Sequence, residues 1–474
     1  MPEKYHIKTA ATAGRFRHVG KYAAVDYRED CSRCTNCVKV RCIYDTYRKD
    51  VAHTRNPETS IQPLYDCRAC FSCVQGCTKG LLSLVINPEY LDIGDEYWKP
   101  DIVDTTWRQA DTGRIPVSGA GYRGRFHGPG FDSIWTDMSE IVRPTRDGIH
   151  GREYISTSVD IGPKPMRLSF SGDGSIAGEI AHVIEIQFPA LLDLPPWPMA
   201  SSGLTKARLM AARSLCCLAV VDATSLEAAW LDSVEALELL RFAVPLLSES
   251  STLQRPTWLT RVQLAEINDG AEAASTAQAL MLEHPALIVA LRMPMRSDCL
   301  ERIIRQTKAG IKVFHLVADL HGCEPGVRGA RHIRDVMRLL HSGLVTAGLR
   351  DEVTLIVGGG IALAEHMAKA IICGADLVSL DATLLVALGC RVCHQDHDHA
   401  NPQNHCPAEI DSSDPDYAAQ RIVNLLGAWH SQLIEVLGAM GIREVRRLRG
   451  EVGRAIFVED IEREAFSDLA RKSQ

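Results

Sequence analysis

From about residue 185 the chain alternates short, continuous apolar runs with helical patterns. The runs are Phe188 to Leu192, Cys217 to Val221, Phe242 to Leu247, Val262 to Ile267, Ala286 to Arg292, Lys312 to Val317, Thr354 to Val357 and Leu377 to Leu380. A strand that is apolar on both faces belongs to a parallel sheet covered by helices. Eight such units close into a (β/α)8 TIM barrel more readily than they remain an open sheet. The helix signals agree. Leu300 to Ala309 stops at Gly310, His332 to Leu340 is expected to stop at Gly343, and Leu363 to Cys373 stops at Gly374. After Pro407, the residues Ile422, Leu425, Leu426, Trp429, Leu433, Val436, Leu437 and Met440 repeat at helical spacing up to Gly441. The basic run Arg443 to Arg449 that follows is expected at a surface or subunit contact.

Residues 85 to 165 show little periodicity and are rich in Gly, Pro, Asp and Arg, so they read as a connector. Within it Arg143, Arg146, His150 and Arg152 either bind an anion or form solvated salt bridges. The expected organisation is an N-terminal cysteine-rich α+β domain over 1–95, a connector over 96–180, the barrel over 181–410 and a helical extension over 411–474.

In a barrel of this kind, polar residues at the C-terminal ends of the strands face the active site. Asp193, Asp222, Glu266, Arg292, Asp319 and His321 hold such positions. Glu266, Arg292, Asp319 and His321 are the catalytic candidates, each set against a plain structural ion pair. The run ending at Val357 passes into Gly358-Gly359-Gly360 before a helix. Such a turn leaves backbone N–H groups at a helix N-terminus, which suits a phosphate.

Cysteine usage changes the picture most. Of 16 cysteines, eight lie between Cys31 and Cys77 and three between Cys390 and Cys406. The first group reads Cys31-x2-Cys34-x2-Cys37-x4-Cys42, then Cys67-x2-Cys70-x2-Cys73-x3-Cys77. In the two-cluster ferredoxin pattern the fourth cysteine of each run serves the other cluster. That assigns Cys31, Cys34, Cys37 and Cys77 to one [4Fe–4S] cluster and Cys67, Cys70, Cys73 and Cys42 to a second, with a pair of zinc sites as the alternative. Cys390, Cys393 and Cys406 form a further metal site beside the glycine turn. Cys216, Cys217, Cys299, Cys323 and Cys373 read as small buried residues. A phosphate-bearing cofactor next to iron–sulfur centres points to a flavin fed with electrons. With no dinucleotide fingerprint in sight, the flavin is FMN.

The chain has 474 residues and a formal net charge of −7, which argues against nucleic acid as a main partner. No apolar run reaches the ~18 residues of a membrane span and no signal peptide is visible, so a cytoplasmic location is expected.

Five further stretches are distinctive: Gly128-Pro-Gly-Phe-Asp-Ser-Ile-Trp-Thr-Asp through Arg146-Asp-Gly148, then Gly358 through Asp376, Arg391-Val-Cys-His394, Cys406-Pro407 and the tail from Val423-Asn424 to Arg443. They resemble the FMN-binding synthase domain of glutamate synthases, in the short archaeal-type form that carries an N-terminal two-cluster ferredoxin segment. The resemblance implies a (β/α)8 barrel with FMN and an adjacent iron–sulfur cluster. It implies that ammonia and 2-oxoglutarate form an imine which reduced flavin converts to glutamate. Gly358, Gly359, Gly360 and Gly374, with Ala375 and Asp376, match the phosphate-binding turns, and Arg292 matches a basic residue that contacts flavin or substrate.

Three features depart from the family pattern. Glu266-Ile-Asn-Asp-Gly270 replaces a Lys-Pro-Gly segment, Ala318 to Pro325 replaces a glycine-rich loop, and the third cysteine site has an altered spacing with His394, His397, His399 and His405 inside it. That site would hold [3Fe–4S] on three cysteines, [4Fe–4S] if a histidine completes four ligands, or zinc, or it is an empty, degenerate loop. No glutaminase segment is seen, so glutaminase-type or NAD(P)H-oxidising partner subunits, or a ferredoxin, are expected, and the protein is expected to form an oligomer. Two other readings stay open: the flavoprotein subunit of N-methylglutamate synthase, with methylamine as the amine, and an electron-transfer subunit of a larger redox complex.

Overall fold

The computed structural model describes residues 5–15, 19, 21–27, 34, 40–43, 70–115, 128–136, 154–164, 169–177, 182–197, 202–225, 233–248, 256–392, 410 and 414–470. Eight strands form a closed, all-parallel barrel: β1 (Ala190–Leu192), β2 (Leu218–Asp222), β3 (Ala243–Leu247), β4 (Leu264–Asn268), β5 (Ile288–Pro294), β6 (Val313–Val317), β7 (Thr354–Gly358) and β8 (Leu377–Leu380). Every apolar run expected to be a strand contributes one of the eight. β8 pairs with β1 through Leu380 and Leu192, which closes the ring. The strands are nearly all buried because helices cover them outside: α1 (Ser202–Ser214), α2 (Val234–Leu239), α3 (Ala273–Glu283), α4 (Cys299–Lys308), α5 (Ile333–Thr346), α6 (Ala364–Ile372) and α7 (Ala382–Ala387). A short antiparallel pair, Val159–Ile161 with Ile184–Ile186, caps the N-terminal end of the barrel, where Gly162 and Thr354 exchange hydrogen bonds of 3.3 and 3.2 Å.

Two expectations are corrected. The helix from His332 does not stop at Gly343; α5 runs through it to Thr346. A side chain at Gly343 would start 2.4 Å from Leu300 of α4, so this glycine permits close helix packing and Gly348, at φ 68°, ends the segment. The connector is not all loop either. Pro100–Thr112 is a helix with Pro100 in its first turn and Gly113 at φ 66° behind it, the usual start and stop chemistry.

That helix packs on the long C-terminal helix α8 (Pro415–Ala439). Ile102, Val103, Trp107 and Ala110 face the core, and Trp429 Nε1 donates to Gln109 Oε1 at 3.1 Å. The N-terminal residues join the same contact. Asn424 of α8 accepts from Ala10 N at 3.1 Å and donates to Ala10 O at 2.7 Å and Ala110 O at 2.9 Å. Arg421, only 1% exposed, reaches Ala387 O at 2.7 Å and the carboxylate of Asp111.

The basic run after α8 packs on its own chain. Arg446 meets Asp160 at 2.9 Å and Glu185 at 3.1 Å, and Arg449 meets Asp376 at 2.9 Å. Among the described residues no helix is long and apolar enough to cross a membrane.

Arg421 is a buried cation bound to a carboxylate, and Arg421→Ala removes that cation from Asp111 and its hydrogen bond from Ala387 O. The expected cost is about 3–5 kcal/mol. Urea denaturation should show a lower midpoint with unchanged slope.

Candidate active site at the mouth of the barrel

Inside the barrel, at the C-terminal ends of its strands, five polar side chains bind one another. Asp193 follows β1, Glu266 lies on β4, Arg292 on β5, His315 on β6 and Ser379 on β8. Arg292 grips both oxygens of Asp193, through NH1 at 2.9 Å and NH2 at 3.0 Å, and NH1 also donates to Glu266 Oε2 at 3.1 Å. His315 places Nδ1 2.7 Å from Glu266 Oε1 and Nε2 2.7 Å from Ser379 Oγ. Ser379 returns to Asp193 Oδ2 at 3.3 Å, closing the circuit. A carboxylate only accepts, so His315 carries a proton on Nδ1.

Glu266, His315 and Ser379 are fully buried. Burial works against the charge on Asp193, yet Arg292 and His315 outweigh it and hold the carboxyl below its usual range. Burial likewise opposes the Arg292 cation, but Asp193 and Glu266 raise its pKa above normal. From outside, Arg208 of α1 donates to Asp193 O at 2.9 Å and Val220 O at 2.7 Å, pinning β1 to β2; burial pulls its pKa down to about 10.

Beside this circuit lies the glycine turn after β7. Gly359 and Gly360 adopt φ of 95° and 65°, which only glycine takes without strain. A side chain on Gly359 would start 2.6 Å from Asp319 O, and one on Gly360 would start 2.4 Å from Gly322 N. The loop after β6 therefore rests directly on the turn. The amides of Gly359, Gly360 and Ile361 meet no acceptor among the described residues, and α6 begins just beyond them. Three such amides before a helix form an anion cradle. Nearby, His332 accepts the Arg334 N–H on Nδ1 at 3.1 Å, so its own proton is on Nε2, which is buried without a partner among the described residues. Burial, aided by His366 and Arg334, lowers its pKa to about 3, so the ring is neutral.

The linker from the cysteine-rich segment is fastened to the same place. Tyr97 Oη donates to Gly360 O at 2.5 Å, and Trp98 Nε1 donates to Leu320 O at 2.9 Å. Gly94 N donates to Arg391 O at 2.8 Å, one residue from Cys390. Upstream, Tyr22–Tyr27 pairs antiparallel with Leu82–Ile86, so the two strands bracket both cysteine runs. Within them Cys42 and Cys73 are buried, Cys70 and Cys77 half-buried and Cys34 exposed. Backbone amides point at two of the expected ligands: Leu81 N lies 3.4 Å from Cys77 Sγ and Val392 N 3.5 Å from Cys390 Sγ. Val392 holds φ 48°, a rare conformation for a β-branched residue, and so wraps the backbone around Cys390. Cys31, Cys37, Cys67, Cys393 and Cys406, like Arg143, Arg146, His150 and Arg152, lie outside the described residues.

Residues 336–443 match the family described as the conserved region in glutamate synthase. The archaeal-type glutamate synthase [NADPH] of Dehalococcoides mccartyi is 23% identical over 90% of this chain and 93% of its own length. The archaeal glutamate synthase [NADPH] of Archaeoglobus fulgidus is 24% identical over 93% and 96%. The corresponding Methanocaldococcus jannaschii protein is 39% identical over a shorter stretch, 22% of this chain and 21% of that protein. Over residues 336–443 the chain is thus similar to glutamate synthases, and the likeness to the archaeal-type proteins extends over most of its length. Among solved structures, the flavin-binding domain of baker's yeast flavocytochrome b2 aligns over 76% of this chain and 87% of its own, with a TM-score of 0.44 and 12% identity.

The part matched to the glutamate synthase region includes the glycine turn, α7, Cys390 and α8. Of the six residues expected at the strand ends, three meet in the circuit: Asp193, Glu266 and Arg292. Arg292, expected to contact flavin or substrate, has its guanidinium bound to Asp193 and Glu266. Asp222 is exposed and caps its own turn through Thr224. Asp319 also shapes a turn, accepting from His321 N and Cys323 N at 2.9 and 2.8 Å. His321 is exposed and binds Asp95 of the linker at 2.8 Å.

Gly358 has a different reason to be glycine: a side chain there would start 1.9 Å from Ser379 Oγ and displace the circuit. Gly374, Ala375 and Asp376 do not join the cradle. They precede β8 and lie toward the other end of the barrel, where Asp376 binds Arg350 at 2.9 Å and Lys164 at 3.3 Å. Burial opposes the charge on Asp376, but Arg350, Lys164 and Arg449 hold its carboxyl far below the usual range. The five scattered cysteines divide, with Cys217, Cys299 and Cys373 buried, Cys323 half-buried and Cys216 exposed at φ 47°.

His315, Ser379, Asp381 and Tyr97 were not anticipated. A signal existed for the first two, since each is the one polar residue inside an apolar strand, Val-Phe-His-Leu-Val and Leu-Val-Ser-Leu.

Arg292→Ala should leave two buried carboxylates without their cation and cost about 3–5 kcal/mol at pH 7. Asp193 is held below its normal pKa, so its contribution exists above about pH 4 and fades as pH falls further. The deficit of the variant, followed by denaturation at several pH values, should therefore shrink on acidification.

Proposed function

We propose that this chain is a glutamate synthase-type oxidoreductase that reduces an imine formed from 2-oxoglutarate and ammonia. Its relatives carry the name glutamate synthase [NADPH] over nearly their whole length. One observation carries the reading furthest: the linker from the cysteine-rich segment touches both the glycine turn and the Cys390 loop, through Tyr97 to Gly360 and Gly94 to Arg391. Redox centres held by the cysteines would thus stand next to whatever the turn binds.

The residues of the turn fit FMN. The amides of Gly359, Gly360 and Ile361 would hold its terminal phosphate, with the unspent Nε2–H of His332 close by. When bound, FMN supplies hydride to the imine carbon, and the iron–sulfur clusters deliver electrons to it one at a time. Cys31, Cys34, Cys37 and Cys77 would hold one [4Fe–4S] cluster, and Cys67, Cys70, Cys73 and Cys42 the other. Cys390, Cys393 and Cys406 would hold a third. The buried circuit beneath the mouth fixes the strand ends, so the cradle and the reacting region keep their spacing. Tyr97, half-buried against the core, helps to keep water from that face. Electrons arrive from a partner subunit that oxidises NAD(P)H, or from a ferredoxin.

The commitment of Arg292 favours one second reading. With that guanidinium spent, the dicarboxylate loses the binder expected for it, and the chain would be an electron-transferring subunit that keeps the barrel.

The test is anaerobic reduction of the purified full chain followed by rapid mixing. Flavin should reoxidise when 2-oxoglutarate and ammonium are both present and stay reduced with either alone. Replacing ammonium by methylamine identifies the amine. Reduced flavin that survives every mixture would overturn the enzymatic reading in favour of the second. Acid release should yield FMN, and metal analysis at least about eight irons per chain, from the two-cluster ligand pattern.

A further inference from the structure

Asp381 is the first residue beyond β8 and stands at the mouth, beside Asp193. The two strands are joined there by Asp193 N donating to Leu380 O at 2.8 Å. Ser379 points into the barrel toward His315, and by alternation along the strand so does Asp381, one step nearer the mouth. Only 9% of the residue is exposed. The backbone amides of Ala382 and of Asp381 itself favour its charge, but its Oδ1 is buried and meets no hydrogen-bond partner among the described residues. Asp193, Glu266 and Asp376 are buried to a similar degree, and each has a cation in contact. Asp381 has none among the described residues. The charged and titratable groups that face it are Asp193, Arg292 and the Tyr97 phenol. Asp193 and Arg292 already neutralise one another.

A buried acceptor without a donor is costly in a folded protein and rarely persists unless the site has a use for it. A ligand that supplies N–H donors and positive charge would satisfy it, and ammonium is the smallest such ligand. We infer that Asp381 is the acid–base group for the amine nitrogen in the reaction proposed above, on which this inference rests. Its carboxylate takes a proton from ammonium, leaving neutral ammonia, whose lone pair attacks the carbonyl carbon. The protonated carboxyl then gives that proton to the hydroxyl of the resulting carbinolamine. Water leaves as the C–N double bond forms, and Asp381 returns to its starting state. The sum is ammonium plus ketone giving iminium plus water, with no oxidant or reductant consumed. Burial first, and the neighbouring Asp193 charge second, push the Asp381 carboxyl up to about 6. That value suits proton transfer near neutral pH.

Asp381→Asn keeps the shape and removes the acid–base function. It should lower kcat/KM for ammonium by about 100- to 10,000-fold, the range of general acid–base catalysis. It should also abolish the fall in that parameter as pH drops through about 6. Asp381→Glu should recover part of the rate and restore a pH-dependent limb. Oxidation of the reduced protein by ferricyanide involves no amine chemistry and should be unchanged in both variants.

Stability supplies a readout independent of turnover. The folded pKa is raised, so the ionised carboxylate costs stability above about pH 6, and the cost fades as pH falls toward the ordinary carboxylate value. Asp381→Asn should therefore raise Tm at pH 8 and lose that advantage near pH 4. A variant that melts lower and loses every activity in parallel would make Asp381 structural. A reactive wild type with an unimpaired Asp381→Asn would overturn this inference alone. A wild type inert to ammonium with 2-oxoglutarate would overturn the reaction, and the inference with it.

Discussion

Burying a guanidinium inside the barrel is the constraint on which the rest of the molecule turns. Arg292 sits among strands, so two acids must meet it, a histidine must bridge one acid to a serine, and the serine must return to the other acid. Each partner comes from a different strand, and the circuit is complete only when β8 has closed onto β1. Removing any one member leaves a buried polar group unpaired, which costs more than the bond itself contributed. Gly358 belongs to this constraint too, because the space above Ser379 cannot hold another side chain.

Above that rigid floor the mouth is built from loops that rest on one another. The loop after β6 lies on the glycine turn, and the linker lies on both through one phenol and one indole, and reaches the Cys390 loop through one backbone amide. Loop positions that the sequence presents as separate features are thereby joined into one surface. The arrangement also explains the two glycines at positive φ: they admit the neighbouring loop as much as they free their own amides.

The barrel was legible in the sequence because period and length carried it. A strand buried on both faces is uniformly apolar, and eight such segments separated by helical stretches leave little choice of architecture. What was not legible depended on partners far away in sequence. Arg292 at the end of an apolar strand looks the same whether it awaits a substrate or is already held by Asp193, 99 residues earlier. Asp376 lies one residue before an apolar run, and only the strand register shows which end of the barrel it occupies. The helix Pro100–Thr112 was hidden by its high polar content, since its buried face is formed by Ile102, Val103, Trp107 and Ala110. Ser379 and His315 could have been noticed as polar breaks in apolar strands, although their mutual contact could not.

The pairing of Ala10 with Asn424 spans 414 residues. During synthesis at about 5–20 residues per second, the amino-terminal strap would wait roughly 20 to 80 s for α8 to emerge. Contacts this distant in sequence form late and slow the final folding step. The cysteine-bearing segment follows the strap directly, so it is made early and stays accessible while the barrel is still being translated. Loading of any metal centre that its cysteines hold would therefore have a natural window, which closes when the last long helix docks.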